Sequence, residues 1–383
     1  MVVESIDFMK LALVHDWLTT LGGAERTLVE LHKIFPDAPI YTLFYNKKFK
    51  SQYLPDAEIR PSFLQKFPLI DKHYKYAALL MPSAVESFDL SSFDVVISSS
   101  VFFSKGLVLR PKTRHICYCY SPTRQLWDLH KFRDSRFEIR DSVAKHLLRL
   151  WDRQAADRVD EFVAISEAVR SRIHKYYKKE ARVVYPPITL ESGMMNKELR
   201  IKNHDSQLII HNSNNYYLIV SRLYKHKNID VAIEAFAKLN LPLLIIGEGP
   251  EKKRLLRYCA TALQAKNIKF LGFIPDKKLS YYYQNCRAFI MPQEEDFGLT
   301  PLEAMSFGKP VLALRKGGAL ETIKEGITGE FFDDPIPEAL ADGIRRLNEN
   351  FHNYRPDIIT AHAKQFSTER FKKQILDLVS QVM

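Results

Sequence analysis

Two carboxylates stand eight positions apart in the segment 292–313, which reads PQEEDFGLTPLEAMSFGKPVLA. They are Glu295 and Glu303, and the residues between them include Phe297, Gly298 and Leu299. A carboxylate accepts hydrogen bonds and cannot donate them when ionised, so it suits the hydroxyl groups of a sugar. We therefore expect Glu295 to accept hydrogen bonds from sugar hydroxyls, and Glu303 to reach the hydroxyls of a ribose.

The same segment carries the signals of a helix start. Thr300 is a good N-cap and Pro301 suits the first helical position, which predicts a helix directly after the apolar strand 288–292. The free N–H groups of Gly298 and Leu299 would then point outward, as a site for an anion or for sugar oxygens. Thr300-x-x-Glu303 also fits a capping box, in which Glu303 only bonds the start of the helix.

Arg222 and Lys227 are cations in a loop that follows another apolar strand, 216–223. A leaving diphosphate gains negative charge as its bond to a sugar breaks, and preorganised cations lower that barrier. Two such groups can replace a divalent metal, and the sequence shows neither a DxD motif nor a histidine cluster to hold one. We expect no metal. The alternative is that both cations are solvated charges in a lysine-rich loop.

Four further candidates lie nearer the N-terminus. Gly22 and Gly23 follow the first strand, where the backbone can approach a phosphate closely, although a glycine pair is also typical of an ordinary turn. His15 follows the apolar run 11–14. It is a candidate for contact with the substrate, and the alternative is a structural histidine that caps a helix or bonds the backbone. Tyr120 ends the strand 114–120 and has a hydroxyl that can bond a sugar.

The elements that must position these residues alternate along the chain. Strands such as 93–100, 242–249 and 310–314 are separated by helices of about ten residues, which indicates βαβ units and parallel sheets. A polar stretch, 189–213, divides the alternation into two runs. The pattern predicts an α/β chain with two facing, doubly wound, Rossmann-like domains, whose ligands bind at the carboxyl ends of strands beside an interdomain cleft.

Length and composition agree with this prediction. The chain has 383 residues, of which 46% are hydrophobic and 26% charged, with a formal net charge of +11. This favours two domains and excludes wholesale disorder. The four cysteines show no metal-binding spacing, no secretory signal is evident, and no apolar run approaches 18 residues. We therefore expect a cytoplasmic protein without a membrane-spanning helix.

The motifs together resemble the GT-B glycosyltransferases, specifically glycosyltransferase family 4, also called glycosyl transferases group 1. Their E-x7-E signature around an FG pair is matched by Glu295-DFGLTPL-Glu303. VSRLYKHKN (220–228), IIGEGP (245–250), FLGFIP (270–275) and KGGALETIKEGITG (316–329) follow in the family's order. VHDWLTTLGGAE (14–25) and YCYSPTRQLWD (118–128) match more loosely.

The resemblance implies a domain arrangement. Residues 1–195 would form an acceptor-binding domain, completed by a C-terminal crossing helix over 366–383. Residues 196–365 would form the nucleotide-sugar-binding domain.

It also implies a retaining, metal-independent hexosyltransferase, a class that acts in cell-surface glycan and polysaccharide synthesis. The donor would be a nucleoside-diphosphate sugar with mannose as one candidate sugar, and the acceptor a saccharide or a polyprenyl-linked saccharide. No cofactor is expected.

Arg222 and Lys227 would hold the diphosphate, Glu303 the ribose, and Glu295 with the backbone of 297–299 the sugar. Gly22, Gly23, His15 and Tyr120 would close the site.

The sequence departs from the family at Tyr120, where a histidine is frequent. Tyrosine, whose side chain has a usual pKa of about 10, shuttles protons poorly at neutral pH. His115 lies on the opposite face of the strand and is not expected to replace the missing histidine. Two alternatives stay open: a nucleotide-sugar epimerase of the same fold, and a non-catalytic nucleotide-sugar-binding or nucleic-acid-binding homologue.

The positive charge is concentrated in one region. Residues 101–182 contain 19 Lys and Arg against 10 Asp and Glu, and the segment 63–80 adds aromatic and basic residues. This favours peripheral docking on the anionic inner face of a membrane over nucleic-acid binding, because phosphate binding alone would not require the Glu295/Glu303 pair. The alternative is an ordinary solvated surface.

Overall fold

The computed structural model describes residues 9–128, 142–190, 216–262 and 265–382. The chain forms two compact units. The N-terminal unit comprises Met1–Pro187 and Thr368–Met383, and the C-terminal unit comprises Ile188–Ser367. The first domain boundary predicted from the sequence, between 195 and 196, lies outside the described residues, as does most of the predicted linker 189–213.

The N-terminal unit is built on a seven-stranded parallel sheet with the order β3-β2-β1-β4-β5-β6-β7. Its strands are β1 Leu11–Leu18, β2 Ile40–Tyr45, β3 Ile59–Pro61, β4 Val95–Ser100, β5 Arg114–Cys119, β6 Glu161–Ala164 and β7 Ala181–Val183. Every residue of β4 is buried, as expected for a central strand covered on both faces.

Helices cover this sheet. They are α1 Gly23–Ile34, α2 Lys47–Tyr53, α3 Ile70–His73, α4 Met81–Glu86, α5 Arg124–Trp127, α6 Ser142–Asp157 and α7 Glu167–Tyr177, with short 3-10 turns at Phe63–Lys66 and Tyr74–Leu80. One apolar cluster joins β1, β2 and β4 to α4, α6 and the turns between 63 and 80.

The C-terminal unit contains a six-stranded parallel sheet with the order β10-β9-β8-β11-β12-β13. Its strands are β8 Tyr217–Val220, β9 Leu243–Ile246, β10 Ile268–Gly272, β11 Ala288–Met291, β12 Val311–Leu314 and β13 Gly329–Phe332. Its helices are α8 Ile229–Leu239, α9 Lys252–Arg257, α10 Asp276–Asn285, α11 Leu299–Ser306, α12 Ala319–Thr322, α13 Pro337–Glu349 and α14 Pro356–Ala363.

The last helix, α15 (Thr368–Gln381), returns to the N-terminal unit. Its apolar stripe is buried, and the ring of Phe371 lies 5.8 Å from the ring of Tyr118 in β5. The prediction of two Rossmann-like sheets and a long C-terminal helix is therefore confirmed. Among the described residues, no helix is both long enough and apolar enough to cross a membrane.

Candidate functional site

The C-terminal sheet reverses its winding between β8 and β11. From β8 the chain winds outward through β9 and β10, and it then returns to β11 on the other side of β8. Loops that follow two such strands diverge and leave a crevice at the carboxyl edge, which is where open α/β sheets bind their ligands. Arg222 and Lys227 follow β8, and Glu295 follows β11, so the topology brings these three predicted residues to one crevice.

Lys227 and Glu295 are in direct contact. The Lys227 ammonium donates to Oε1 of Glu295, and Lys227 itself is buried. The side-chain amide of Gln293 donates to the same oxygen at 2.8 Å. Burial raises the pKa of Glu295, but Lys227, Gln293 and the nearby Arg222 outweigh that effect and lower the pKa to about 2. Glu295 is therefore ionised at neutral pH and acts as an acceptor.

Arg222 lies at the exposed side of this crevice. Its guanidinium carbon lies 5.7 Å from the centre of the Tyr224 ring, a distance typical of a cation–π contact. A guanidinium group in this position keeps its five N–H donors and can bind a phosphate with two of them. Arg222 and Lys227 thus place one accessible and one buried cation at the same edge.

The loop after β12 packs tightly on the loop that carries Glu295. The Gly318 N–H donates to the Glu295 carbonyl at 2.9 Å, and a Cβ atom on Gly318 would lie only 2.3 Å from Cα of Phe297. No residue with a side chain fits there without moving the backbone. The close approach fixes the backbone that carries the Glu295 carboxylate.

The helix after Glu295 begins differently from the sequence prediction. Gly298 is its N-cap, with a φ of 92° that favours glycine, and α11 starts at Leu299 rather than at Pro301. Thr300 therefore does not cap the helix, and the predicted capping box is wrong. Glu303 is instead buried, and its Oε2 accepts a hydrogen bond of 2.7 Å from the Tyr283 hydroxyl.

A second group of polar residues lies at the reversal point of the N-terminal sheet, between β1 and β4. His15 lies within β1, and its Nδ1 is 2.9 Å from the Ser99 carbonyl and 3.0 Å from the Ser99 hydroxyl. The Ser99 hydroxyl is also 3.0 Å from the Tyr120 hydroxyl, which donates to the Ala24 carbonyl at 3.0 Å. This chain of hydrogen bonds ties β1, β4 and the end of β5 to the first turn of α1.

Tyr120 is buried, and its hydroxyl bonds within the protein in both directions. Burial raises the pKa of this hydroxyl well above its usual value. A group that holds its proton so firmly is unsuited to proton transfer at neutral pH, so Tyr120 has the features of a positioning residue. His115 is buried elsewhere, with its Nε2 2.8 Å from the Ser98 hydroxyl, and burial lowers its pKa to about 4.

Gly22 and Gly23 start α1, with Gly22 as the N-cap. The Gly22 N–H donates to Oε2 of Glu25 at 2.8 Å, so this N–H is already bonded within the protein. Glu25 Oε1 lies 3.9 Å from Nε2 of His15. Burial raises the pKa of Glu25, while His15 and the backbone N–H groups outweigh it and hold the pKa below the usual value.

Sequence reasoning missed Gln293 and Glu25. Glu25 has a local signal, because a glutamate three residues after an N-cap commonly bonds the N-cap N–H. Gln293 has no such signal, since its contact depends on the fold of the 292–298 loop. Within the described ranges, no group of three His, Cys, Asp or Glu side chains is arranged to hold a metal ion.

Family models match both halves of the chain. The family model described as Glycosyl transferases group 1 matches residues 200–365, which include Arg222, Lys227, Glu295 and Glu303. The model described as Glycosyltransferase Family 4 matches residues 21–192. The two matches lie side by side along the chain and leave only its ends and a short connection outside.

Curated relatives include mannosyltransferases. The alpha-1,3/1,6-mannosyltransferase ALG2 of Candida glabrata is 23% identical, with 96% of this chain and 92% of the relative covered. The protein of the same name from Dictyostelium discoideum is 24% identical, with coverages of 88% and 89%.

Solved structures show the same fold. Anabaena HepE in complex with UDP and glucose superposes with a TM-score of 0.71 at 22% identity, covering 97% of this chain and all of that one. WaaG, a glycosyltransferase involved in lipopolysaccharide biosynthesis, superposes with a TM-score of 0.69 at 16% identity, with coverages of 96% and 99%. With two Rossmann-like sheets, the E-x7-E segment beside a cationic loop, and family matches over both units, the chain belongs to the GT-B glycosyltransferases of family 4.

Proposed function

We propose that the protein is a retaining hexosyltransferase that moves a hexose from a nucleoside-diphosphate sugar to a saccharide or a lipid-linked saccharide. The observation that carries this proposal is the meeting of Arg222, Lys227 and Glu295 at the reversal point of the C-terminal sheet. Two cations and one ionised carboxylate at one crevice match a ligand that joins a diphosphate to a hydroxyl-rich ring.

The diphosphate is bound by the two cations. The Lys227 ammonium has three N–H donors, so it can keep its contact with Glu295 and still donate to a phosphate oxygen. Arg222 adds a planar pair of donors from the exposed side. Their charge stabilises the negative charge that grows on the leaving diphosphate, and we propose that no divalent metal is required.

The sugar is held by Glu295 and by the backbone of Phe297, Gly298 and Leu299. An ionised Glu295 accepts hydrogen bonds from ring hydroxyls and favours the positive charge that builds up on the ring in the transition state. We assign Glu303 to the ribose of the donor, a role that it would combine with its hydrogen bond from Tyr283.

Retention results when the acceptor attacks the face that the diphosphate leaves. The bond from the anomeric carbon to the diphosphate breaks as the bond to the acceptor oxygen forms. The acceptor proton passes to the leaving phosphate oxygen, so the products are a glycoside and a nucleoside diphosphate. This scheme needs no protein base, which agrees with a Tyr120 that keeps its proton.

Mannose is the sugar that we propose, since relatives covering most of the chain are named as mannosyltransferases. A thermal-shift screen of GDP-mannose, UDP-glucose and other nucleotide sugars tests this, because a ligand that binds the folded state raises its melting temperature. Donor turnover with and without EDTA tests metal independence.

We place the reaction in the cytoplasm, at the inner face of the membrane. All four cysteines are buried free thiols, as is usual in a reducing compartment. The acceptor would be presented by the membrane as a polyprenyl-linked saccharide. No nucleic-acid partner is proposed.

The decisive experiment removes each cation separately. Arg222→Ala and Lys227→Ala should each lower the rate of nucleoside-diphosphate release by roughly 10²–10³-fold, because each removes charge aimed at the leaving group. Lys225→Ala is the matched control, since Lys225 is exposed in the same loop, and its rate should stay within about twofold of the wild type.

Wild-type turnover in the Arg222→Ala and Lys227→Ala variants would contradict the proposal. Two other outcomes identify the alternatives. An epimerised nucleotide sugar formed without acceptor would identify an epimerase, and donor binding without hydrolysis or transfer would identify a non-catalytic binding protein.

A further inference from the structure

The N-terminal unit exposes large apolar side chains almost entirely in two places. Of the ten such side chains among its described residues, nine lie in the segment 63–80 or on α6. We call these nine the apolar face: Phe63, Phe67, Leu69, Tyr76, Leu79, Leu80, Val143, Leu147 and Leu150. Their exposed fractions run from 40% for Phe63 to 90% for Tyr76. Exposed apolar residues collected in this way mark an interaction surface.

The apolar face does not result from loose packing. Its two segments also send apolar residues inward, and Ala77, Ala78, Ala144 and Leu148 all belong to the same buried cluster. The inner side of α6 is further fixed by Asp152, which accepts from the Lys105 ammonium at 2.6 Å. Both segments are therefore anchored in the core and are apolar on their outer side as well.

Basic residues are interspersed with the apolar ones. Lys66, Lys72 and His73 are exposed within 63–80, and Lys145 lies beside the apolar stripe of α6. The Arg149 guanidinium, in contrast, donates to the Leu126 carbonyl at 2.8 and 3.0 Å. The single acidic residue of 63–80 is Asp71, and its carboxylate accepts from the Asn46 amide at 3.2 Å. Aromatic and aliphatic side chains mixed with lysine and arginine are typical of proteins that lie in the interface of an anionic bilayer.

A shallow cavity of about 400 Å³, open to solvent, adjoins this surface. It is lined by Tyr45, Lys47, Lys50, Ser51 and Pro55. The Tyr45 N–H donates to the Gln65 side chain at 2.8 Å, which joins the cavity wall directly to the segment 63–80. The ammonium groups of Lys47 and Lys50 are the donors that a phosphate would meet there, because the Ser51 hydroxyl already donates to the Lys48 carbonyl at 3.1 Å.

We propose that the apolar face inserts into the boundary between head groups and acyl chains of an anionic bilayer, and that the Lys47/Lys50 cavity receives a lipid phosphate. This inference deepens the membrane contact in the proposed function and rests on it. Charge complementarity selects the bilayer as the occupant. A second copy of the chain, docked through the same face, would instead bring two positively charged surfaces together.

Insertion is tested by vesicle co-sedimentation of the full chain without donor. The wild type should bind vesicles that contain about one-third phosphatidylglycerol more tightly than pure phosphatidylcholine, and high salt should weaken this binding. Phe67→Ser/Tyr76→Ser should lower the partition coefficient at least about tenfold, since it removes two large side chains from the bilayer. The matched control is Phe273→Ser/Tyr281→Ser, which removes two exposed aromatic residues of the C-terminal unit and should bind as the wild type does.

The cavity is tested by charge reversal. Lys47→Glu/Lys50→Glu should lower binding to the anionic vesicles about tenfold or more, because each lysine near an anionic surface contributes several-fold to binding. Lys48→Glu is the control for the cavity, since Lys48 is exposed on the same helix but does not line it. Its loss should be several-fold smaller. Circular dichroism melting confirms that every variant is folded.

Several outcomes would overturn the proposal. Equal binding of the wild type to neutral and anionic vesicles refutes the selection of an anionic bilayer. An equal loss in the Lys48→Glu and Lys47→Glu/Lys50→Glu variants refutes the phosphate site. No vesicle binding, together with a dimer that Phe67→Ser/Tyr76→Ser dissociates, identifies a second copy as the occupant. Donor hydrolysis in solution is measured separately. Vesicle binding without donor turnover would therefore contradict only the proposed transferase activity and not the membrane contact.

Discussion

At the scale of single residues, the charge of Glu295 is maintained by its neighbours. The ammonium of Lys227 and the amide of Gln293 both donate to one carboxylate oxygen. The other oxygen is left for a ligand. The same contacts keep the carboxylate ionised far below neutral pH.

This arrangement predicts how Glu295→Gln depends on pH. The folded-state pKa of Glu295 is about 2, below the value of about 4.3 expected in the unfolded chain. Ionised Glu295 therefore stabilises the fold above about pH 4, and this contribution is lost as the pH falls toward 2. Glu295→Gln should lower the free energy of unfolding by about 2–3 kcal/mol at pH 7, and the difference from the wild type should shrink between pH 4 and 2. Urea titration across this range measures it, and a difference that is independent of pH would contradict the assigned contact.

Tyr120 leads to a different prediction. Tyr120→Phe removes the hydroxyl that bonds Ser99 and Ala24, so it should lower the free energy of unfolding by about 1–2 kcal/mol. If Tyr120 only positions α1, the rate of transfer should fall less than about tenfold and the pH–rate profile should keep its shape. A Tyr120→Phe profile that loses a titrating limb would show instead that the hydroxyl transfers a proton.

The sequence identified candidate site residues that can be recognised from their residue type and from their position after a strand. Glu295, Arg222 and Lys227 lie in loops after strands, and parallel strands bring such loops together at one edge of the sheet. The Gln293 amide and the Tyr283 hydroxyl were not predicted, because their partners are set by how loops and helices pack. The Glu25 carboxylate was also missed, although its bond to the Gly22 N–H three residues earlier is a local capping contact. Glu303 was predicted in one alternative to cap its own helix, but tertiary packing gave it the Tyr283 hydroxyl.

At the scale of elements, the crevice depends on two loops that touch through their backbones. Gly318→Ala should separate the β12–α12 loop from Phe297, because the new Cβ would lie 2.3 Å from a backbone atom. Gly318 has a φ of −65°, so the substitution adds no backbone strain of its own. We expect donor affinity to fall about tenfold or more, as a small displacement of a positioned group is costly.

Gly326→Ala is the control for this variant. Gly326 lies in the loop before β13, and a Cβ atom there would meet nothing within 4 Å. It has a φ of 73°, so alanine costs about 1 kcal/mol of strain without moving a loop at the site. Isothermal titration with the donor distinguishes the two, and equal affinities would show that the contact at Gly318 does not shape the crevice.

Alternation of strands and helices was predicted well where both are long and apolar. The start of α11 was misplaced by two residues because Gly298 adopts a positive φ that lets the helix begin earlier. The apolar surface of 63–80 was evident from composition, but which side chains point outward was not. Short 3-10 turns there break the 3.6-residue period on which such a prediction relies.

At the scale of the whole molecule, the net charge of +11 has two separate uses in these proposals. Arg222 and Lys227 act on a diphosphate in the C-terminal unit. The lysines and arginines near the apolar face act on a surface in the N-terminal unit. The first contact is short-range and partly buried, so salt should affect vesicle binding much more than donor binding.

The chain also crosses between the units, which makes the N-terminal unit depend on the last helix. Phe371 in α15 is 2% exposed and packs on Tyr118 in β5. Phe371→Ala should lower the stability of the N-terminal unit by about 3–5 kcal/mol, because it removes a buried ring and leaves a cavity. Donor affinity should stay within about twofold of the wild type, since the proposed donor contacts all lie in Ile188–Ser367.

Phe273→Ala, at a position 70% exposed, is the control and should change neither quantity. Thermal unfolding with and without donor measures both quantities. The donor should raise the melting temperature of the C-terminal unit, while Phe371→Ala should lower that of the N-terminal unit. A parallel fall of donor affinity and stability would show that the donor site needs the N-terminal unit to be intact.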